Sequence, residues 1–461
     1  MKLYTAVLNN GGYNAEKLSK QLNKTKANLA HEKQYLIENI LKALRNYHDK
    51  QGEIELYNTM SDALLLKERR INLLTLNKYK KAESLARQYG KYEIEWRMLF
   101  ERRLFATRFY SDREFIIQAE EMMARMQQLI NRLGDFQSLQ QFYLKVESDY
   151  RTNAHARGEE EISKASAMLN DPVLKRHSNE PLFKYFQLDA ESTLNQRLLN
   201  DKPAIDNMRS CLKLAEKYPE QLSIDSYYYF TTLHGYLVTL LFAGKFKEFE
   251  NRIKKIQTRD YHKLPFNHTY LDKTLDAHYY YYYLILYNFL LAMPSPPLQK
   301  IKSFLAALDE NYEHIIGEFP AEYAVLLPHY ACGICFVLKD YNGALRWNRR
   351  VIDESGTHDR HEVLSIARIV TLILHAEMKN YSILPFLATS AKRYLIKQNF
   401  FSNVEKTTLS FLTRLPQLHS NTEVKKAYRE LFSMYKELEQ TREGEYHLRT
   451  FKYRLWAQRN M

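Results

Sequence analysis

The chain has 461 residues, 45% of them hydrophobic and 26% charged, and only 13 glycines and 12 prolines. Those two residue types make up about 5% of the chain, less than half their usual share, which excludes sheet-rich folds and glycine-rich phosphate loops, since both consume turns. Lys and Arg number 67 against 54 Asp and Glu, a formal net charge of +13 that favours acidic partners such as nucleic acid or ribosomes.

In chain order, Met1-Lys2-Leu3-Tyr4 leads into Asn9-Asn10-Gly11-Gly12 without the apolar core of a signal peptide. Residues 1–50 hold nine Lys and Arg and four Asp and Glu. Residues 34–47 place Tyr35, Leu36, Ile40, Leu41, Leu44 and Tyr47 on one helix face. Residues 16–25 are faintly similar to the opening of a helix-turn-helix, without the glycine expected in its turn. Residues 1–60 therefore read as a helical segment that caps the first repeat of a helical array, because the ends of such an array need a polar outer face. Residues 114–133 form a second amphipathic helix through Ile116, Ile117, Met122, Met126, Leu129 and Leu133. Asp171-Pro172, Glu180-Pro181, Lys202-Pro203, Tyr218-Pro219, Pro294 to Pro297, Phe319-Pro320 and Leu415-Pro416 mark later boundaries, since the residue before proline is steered away from the α region. The apolar stretch 279–293 begins with five tyrosines, contains Asn288 and stops at Pro294. It falls short of the about 20 apolar residues a membrane span needs, so it is expected to be a buried helix.

A turn recurs between amphipathic segments. It reads Asn77-Lys78-Tyr79-Lys80-Lys81-Ala82, Gly134-Asp135-Phe136, Gly244-Lys245-Phe246, Lys339-Asp340-Tyr341-Asn342-Gly343-Ala344 and Lys379-Asn380-Tyr381, with a proline form at Asn200-Asp201-Lys202-Pro203. This resembles the tetratricopeptide repeat family, where an aromatic wedges between two helices and a small residue lets the second helix sit close. Tyr79 with Ala82 and Tyr341 with Ala344 carry the resemblance most closely; Phe136, Phe246 and Tyr381 fill the aromatic position elsewhere. The pattern covers roughly residues 60–415, with a spacing longer than the family's usual 34 residues. It implies an all-α fold: a right-handed superhelix, or α-solenoid, of about six to eight stacked antiparallel helical hairpins. The expected division is a capping segment over 1–60, a tetratricopeptide-like array over 61–420, and capping helices with a basic tail over 421–461.

Little in the chain points to chemistry. Cys332-Gly333-Ile334-Cys335 has the spacing of a redox or metal pair, but no second pair exists, and Cys332 falls where the repeat needs a small core residue. With Cys211 these three cysteines are too few for a disulfide framework, so a reducing, cytoplasmic setting is expected. His358-Asp359-Arg360-His361 spaces two histidines as metal ligands could be, in what reads as a polar loop. His314, His329 and His375 stand singly in helical stretches. No catalytic residues, cofactor or metal are therefore expected.

The 35 tyrosines are concentrated in Tyr227-Tyr228-Tyr229 and in the run from Tyr279 to Tyr283. Five in a row must surround a helix, and tyrosine suits recognition of a peptide or of stacked bases. The expected function is a non-enzymatic scaffold that binds a protein or peptide in its concave groove through Tyr228, Tyr280, Tyr283 and Arg368. The alternative is an RNA- or ribosome-binding repeat protein using its basic ends and aromatic faces. A DNA-binding regulator and an unrecognised enzyme stand behind these.

Overall fold

Helix accounts for 86% of the structure, a computed structural model that describes residues 2–9, 14–47, 52–106, 112–152, 156, 158–178, 180–222, 226–264, 268–291, 293, 295–318, 324–353 and 361–461. No strand occurs among them, as the shortage of turn residues implies. The predicted breaks at Asn10-Gly11-Gly12, Pro294 and Phe319-Pro320, the residues His358, Asp359 and Arg360, and the side chain of Tyr227 lie outside the described residues. Contacts divide the chain into two units, 1–135 and 136–461.

In the first unit, α1 (Lys2–Asn9), α2 (Ala15–Leu22) and α3 (Lys26–Tyr47) enclose a small core of Leu3, Ala6, Leu18 and Leu29. The helices α4 (Gly52–Glu68), α5 (Asn72–Gln88) and α6 (Tyr92–Ala106) pack in sequence around Leu56, Ala63, Tyr79, Ala82, Ala86 and Met98. The helix α7 (Asp112–Thr152) begins here. Its Arg125 meets the fully buried carboxylate of Glu95 through Nε at 2.9 Å and Nη2 at 3.0 Å, and Arg87 joins them at 3.0 Å.

The second unit takes in the rest of α7, then α8 (Glu159–Leu169), α9 (Pro181–Arg197), α10 (Asp201–Lys217), the short α11 (Pro219–Leu222), α12 (Ser226–Phe242), α13 (Phe246–Gln257), α14 (His268–Leu290) and α15 (Leu298–Glu318). It continues through α16 (Leu326–Val337), α17 (Tyr341–Asp353), α18 (His361–Glu377), α19 (Leu384–Lys397), α20 (Asn403–Arg414), α21 (Asn421–Leu438), α22 (Arg442–Thr450) and α23 (Tyr453–Arg459). Most neighbours in sequence pack together, and α12, α14, α16 and α18 each also touch the next of the series α12, α14, α16, α18 and α20. One continuous core results. Each described proline lies in the first turn of a helix or just before one, where its missing N–H costs nothing.

The corners share one geometry. After α2, α4, α5, α9, α12, α16, α18 and α19, one residue takes the left-handed region: Asn23, Arg70, Gly90, Leu199, Gly244, Lys339, Lys379 and Asn399, with φ between 49 and 68°. The amide of the following residue then reaches back to the carbonyl five residues earlier, as from Asp340 to Cys335 at 2.9 Å and from Lys245 to Leu240 at 2.8 Å. This closes the helix end. Three predicted turns, at Phe246, Tyr341 and Tyr381, follow such corners directly.

Two predicted turns are not turns. Tyr79 and Ala82 lie in the middle of α5, and Gly134 and Phe136 lie in the middle of the 41-residue α7. In α5 the core stripe continues through the supposed break: Thr75, Leu76, Tyr79, Ala82, Glu83 and Ala86 are all buried. In α7 the buried residues stop at Leu129 and resume at Leu139, in separate cores, yet the helix runs on, since a lone glycine costs it only about 1 kcal/mol. Gly343 likewise lies within α17, not at its corner. Its amide donates to the Asp340 carboxylate at 2.9 Å, and a Cβ there would clash with that carboxylate.

Candidate functional site

The residues expected to bind a partner lie at separate places. Tyr228 is 40% exposed and its ring meets Phe186 edge-on at 5.7 Å. Tyr280 and Tyr283 are half-buried against Phe304 of α15, at 5.4 and 6.1 Å. Arg368 lies over the ring of Tyr394 at 4.2 Å, joining α18 to α19. All five tyrosines of the run are at least half-buried, because α14 has α12, α15 and α16 packed around it.

One part of that run does border a cleft. A space of about 280 Å³ opens between α13 and α14. Ile253, Ile256 and Leu275 form its apolar wall, Tyr279 and Tyr282 its aromatic wall, and Gln257, Arg259 and Asp276 its rim. Tyr282 is fully buried, with its hydroxyl 3.0 Å from His234 Nδ1. Tyr279 packs on Tyr283 one turn along, at 4.4 Å.

The rim depends on the corner after α13. Arg259 holds a left-handed φ of 53°, unusual for a side chain of its size. Its guanidinium donates to the Tyr261 hydroxyl at 2.7 Å and to both oxygens of Asp276, at 2.9 and 2.7 Å. Tyr261 donates in turn to Asp272, which His262 Nε2 also approaches at 2.9 Å. Burial works against the Asp272 carboxylate, yet these hydrogen bonds and the Arg259 charge hold its pKa below the usual value. Burial pushes the Tyr261 hydroxyl up, so it stays protonated and donating. Sequence reasoning missed this group. Its one signal was the Asp272 and Asp276 pair, spaced to share a helix face, following the Arg259-Asp260-Tyr261-His262 segment.

A second cleft, of about 480 Å³, lies between α7 and α8. Its Lys164 is already engaged by Asp149 at 2.9 Å, and Arg197 reaches the same carboxylate at 3.3 Å. The cysteines are core residues: Cys332 and Cys335 are 2% and 4% exposed, and burial pushes the Cys335 thiol up to about 12. Among the described residues no group of His, Cys, Asp and Glu could hold a metal ion, and no helix is long and apolar enough to cross a membrane. No family model, no curated protein and no solved structure matches the chain.

Proposed function

We propose that the protein is a non-enzymatic cytoplasmic scaffold whose residues 136–461 form a degenerate tetratricopeptide-like α-solenoid, a right-handed superhelix of antiparallel hairpins, and hold a protein segment in the cleft between α13 and α14. The recurring left-handed corners and the packing of every second helix on the next of its series support the repeat reading, because such hairpins bury a face only by stacking. The observation that carries the binding reading is the cleft itself, where an aromatic and aliphatic floor lies beside a braced Arg259–Asp276 pair. An apolar side chain of the partner fills the floor, and its polar backbone meets the rim.

Gln257 is exposed at the mouth of the cleft, so Gln257→Arg blocks entry without disturbing the core. Captures from the native host are made with wild type and variant, with and without nuclease. The expected result is a nuclease-resistant protein partner whose affinity falls at least tenfold in the variant, about 1.4 kcal/mol, with an unchanged melting curve. Equal capture by the variant overturns the site. The net charge of +13 supports the alternative of RNA or ribosome binding. In that case nuclease removes the partner, and affinity falls steeply with salt as counterions are released.

A further inference from the structure

The first unit contains a surface the groove reading does not use. The helices α2 and α3 are joined by Asn23, Lys24 and Thr25. Asn23 takes a left-handed φ of 49°, the conformation a glycine supplies in helix-turn-helix turns, and asparagine is among the few other residues that adopt it readily. The Lys24 amide donates back to the Ser19 carbonyl at 3.1 Å, and Asn14 caps the start of α2 by accepting from the amides of Glu16 and Lys17 at 3.1 Å. Leu18 of α2 and Leu29 of α3 are completely buried against Leu3 and Ala6 of α1. An ion pair between Lys24 and Glu32 ties the turn to α3. Three helices and one core thus fix the angle at which α3 leaves α2.

The outer face of α3 is open. Of its 22 residues, spanning about 33 Å, Leu29 alone is buried. The first half presents Lys26, Asn28, His31, Lys33 and Gln34 to solvent, and Lys17 and Lys20 are exposed on α2. A helix that docks on protein carries apolar residues along its contact face. Here the exposed large apolar residues Tyr35, Ile37, Ile40, Leu41 and Leu44 all lie from Tyr35 onward. The first half instead offers donors suited to base edges and phosphates, in a segment where nine Lys and Arg face four Asp and Glu over residues 1–50. We infer that α2 and α3 form a helix-turn-helix reader of double-stranded DNA, with Asn28, His31 and Gln34, which share the face of α3 opposite the buried Leu29, entering the major groove and the α2 lysines on the backbone.

The test uses the full chain and a library of randomised 30-base-pair duplexes in repeated rounds of selection, followed by fluorescence anisotropy on the enriched duplex, on a shuffled duplex and on single-stranded RNA of the same length. Wild type is expected to enrich a defined motif and to bind it at least tenfold more tightly than the shuffled duplex. His31→Glu/Gln34→Glu, both at exposed positions, is expected to lower that affinity at least tenfold with an unchanged circular dichroism spectrum. Asn28→Ala is expected to relax preference at one base position. Failure to enrich any motif overturns the inference. So does equal binding of the shuffled duplex or of RNA, or a double variant that binds as wild type does.

Discussion

At the residue scale, the second unit stakes much of its stability on buried polar groups. Glu405 and His447 are both almost fully buried, with His447 Nδ1 2.7 Å from the carboxylate, whose other oxygen accepts the Ser402 amide at 2.9 Å. Removing one partner leaves an uncompensated group in the core. His447→Ala is therefore expected to lose about 3 kcal/mol or more in urea unfolding, whereas a substitution at exposed Lys213 is expected to be silent. His278 shows how burial sets pH dependence. Its ring is enclosed by Phe230 at 4.7 Å and His234 at 5.2 Å, and burial lowers its pKa to about 4 from an ordinary 6.5. The unfolded chain therefore binds a proton that the folded chain refuses, and stability falls as pH drops from 6.5 toward 4. A loss of about 2 kcal/mol between pH 8 and 5 is expected from this group, with His234 shifted the same way by burial and by its neighbour. His278→Phe is expected to flatten that slope. Asp189 acts in the opposite sense. Burial raises it to about 6 although Tyr143 donates to it at 2.6 Å, so lowering the pH through 6 relieves a penalty. The acid loss is thus expected to be steeper in Asp189→Asn, as read from melting temperatures across pH.

At the element scale, the corners explain how the fold manages with so few glycines. Only Gly90 and Gly244 among the left-handed corner residues of the hairpins are glycine; Arg70, Leu199, Lys339, Lys379 and Asn399 hold the same conformation with side chains. Each non-glycine there carries a steric cost of about 1 kcal/mol. Lys339 is exposed, at the corner before Tyr341, so Lys339→Gly is expected to stabilise the fold by about 0.5–1 kcal/mol, seen as a raised thermal midpoint. A fall would show that the lysine makes a compensating contact. The same geometry at Asn23 shows that a missing glycine did not count against a tight turn between α2 and α3. The periodicity of 34–47 did identify a helix, but its stripe of Tyr35, Ile40, Leu41, Leu44 and Tyr47 is exposed in α3. An amphipathic pattern establishes that a helix forms, not that its apolar face has a partner.

At the scale of the whole molecule, distant segments hold the second unit together. Glu377, at the end of α18, accepts from the Tyr341 hydroxyl at 2.6 Å, from Trp456 Nε1 at 2.8 Å and from Asn460 Nδ2 at 2.9 Å. Arg459 donates to the Val337 carbonyl at 2.9 Å, and the buried Trp456 ring meets Phe411 and Tyr428 edge-on. The basic residues around 452–459 are thus partly committed to the fold. Trp456→Ala removes a large core side chain and a donor to Glu377 together, and a loss of about 3–5 kcal/mol is expected, measured as a shift of the calorimetric transition. A loss under 1 kcal/mol would mean that the last helix is dispensable to the core.

The sequence by itself determined what depends on near neighbours: the all-helical composition, the corners at Phe246, Tyr341 and Tyr381, helix boundaries close to several prolines, and the packing role of Cys332. Each of these rests on a period of 3.6 residues or on hydrogen bonds that reach five residues back, and so leaves a local trace. Only the tertiary structure decided that helix continues through Tyr79 and Gly134, that one end of the tyrosine run borders a cleft, and that Arg259 is braced by Asp276. It also decided that Arg459 meets a carbonyl 122 residues away. Those outcomes depend on which faces meet. That is settled by the gain from burying matched surfaces across the chain, a quantity no local pattern records.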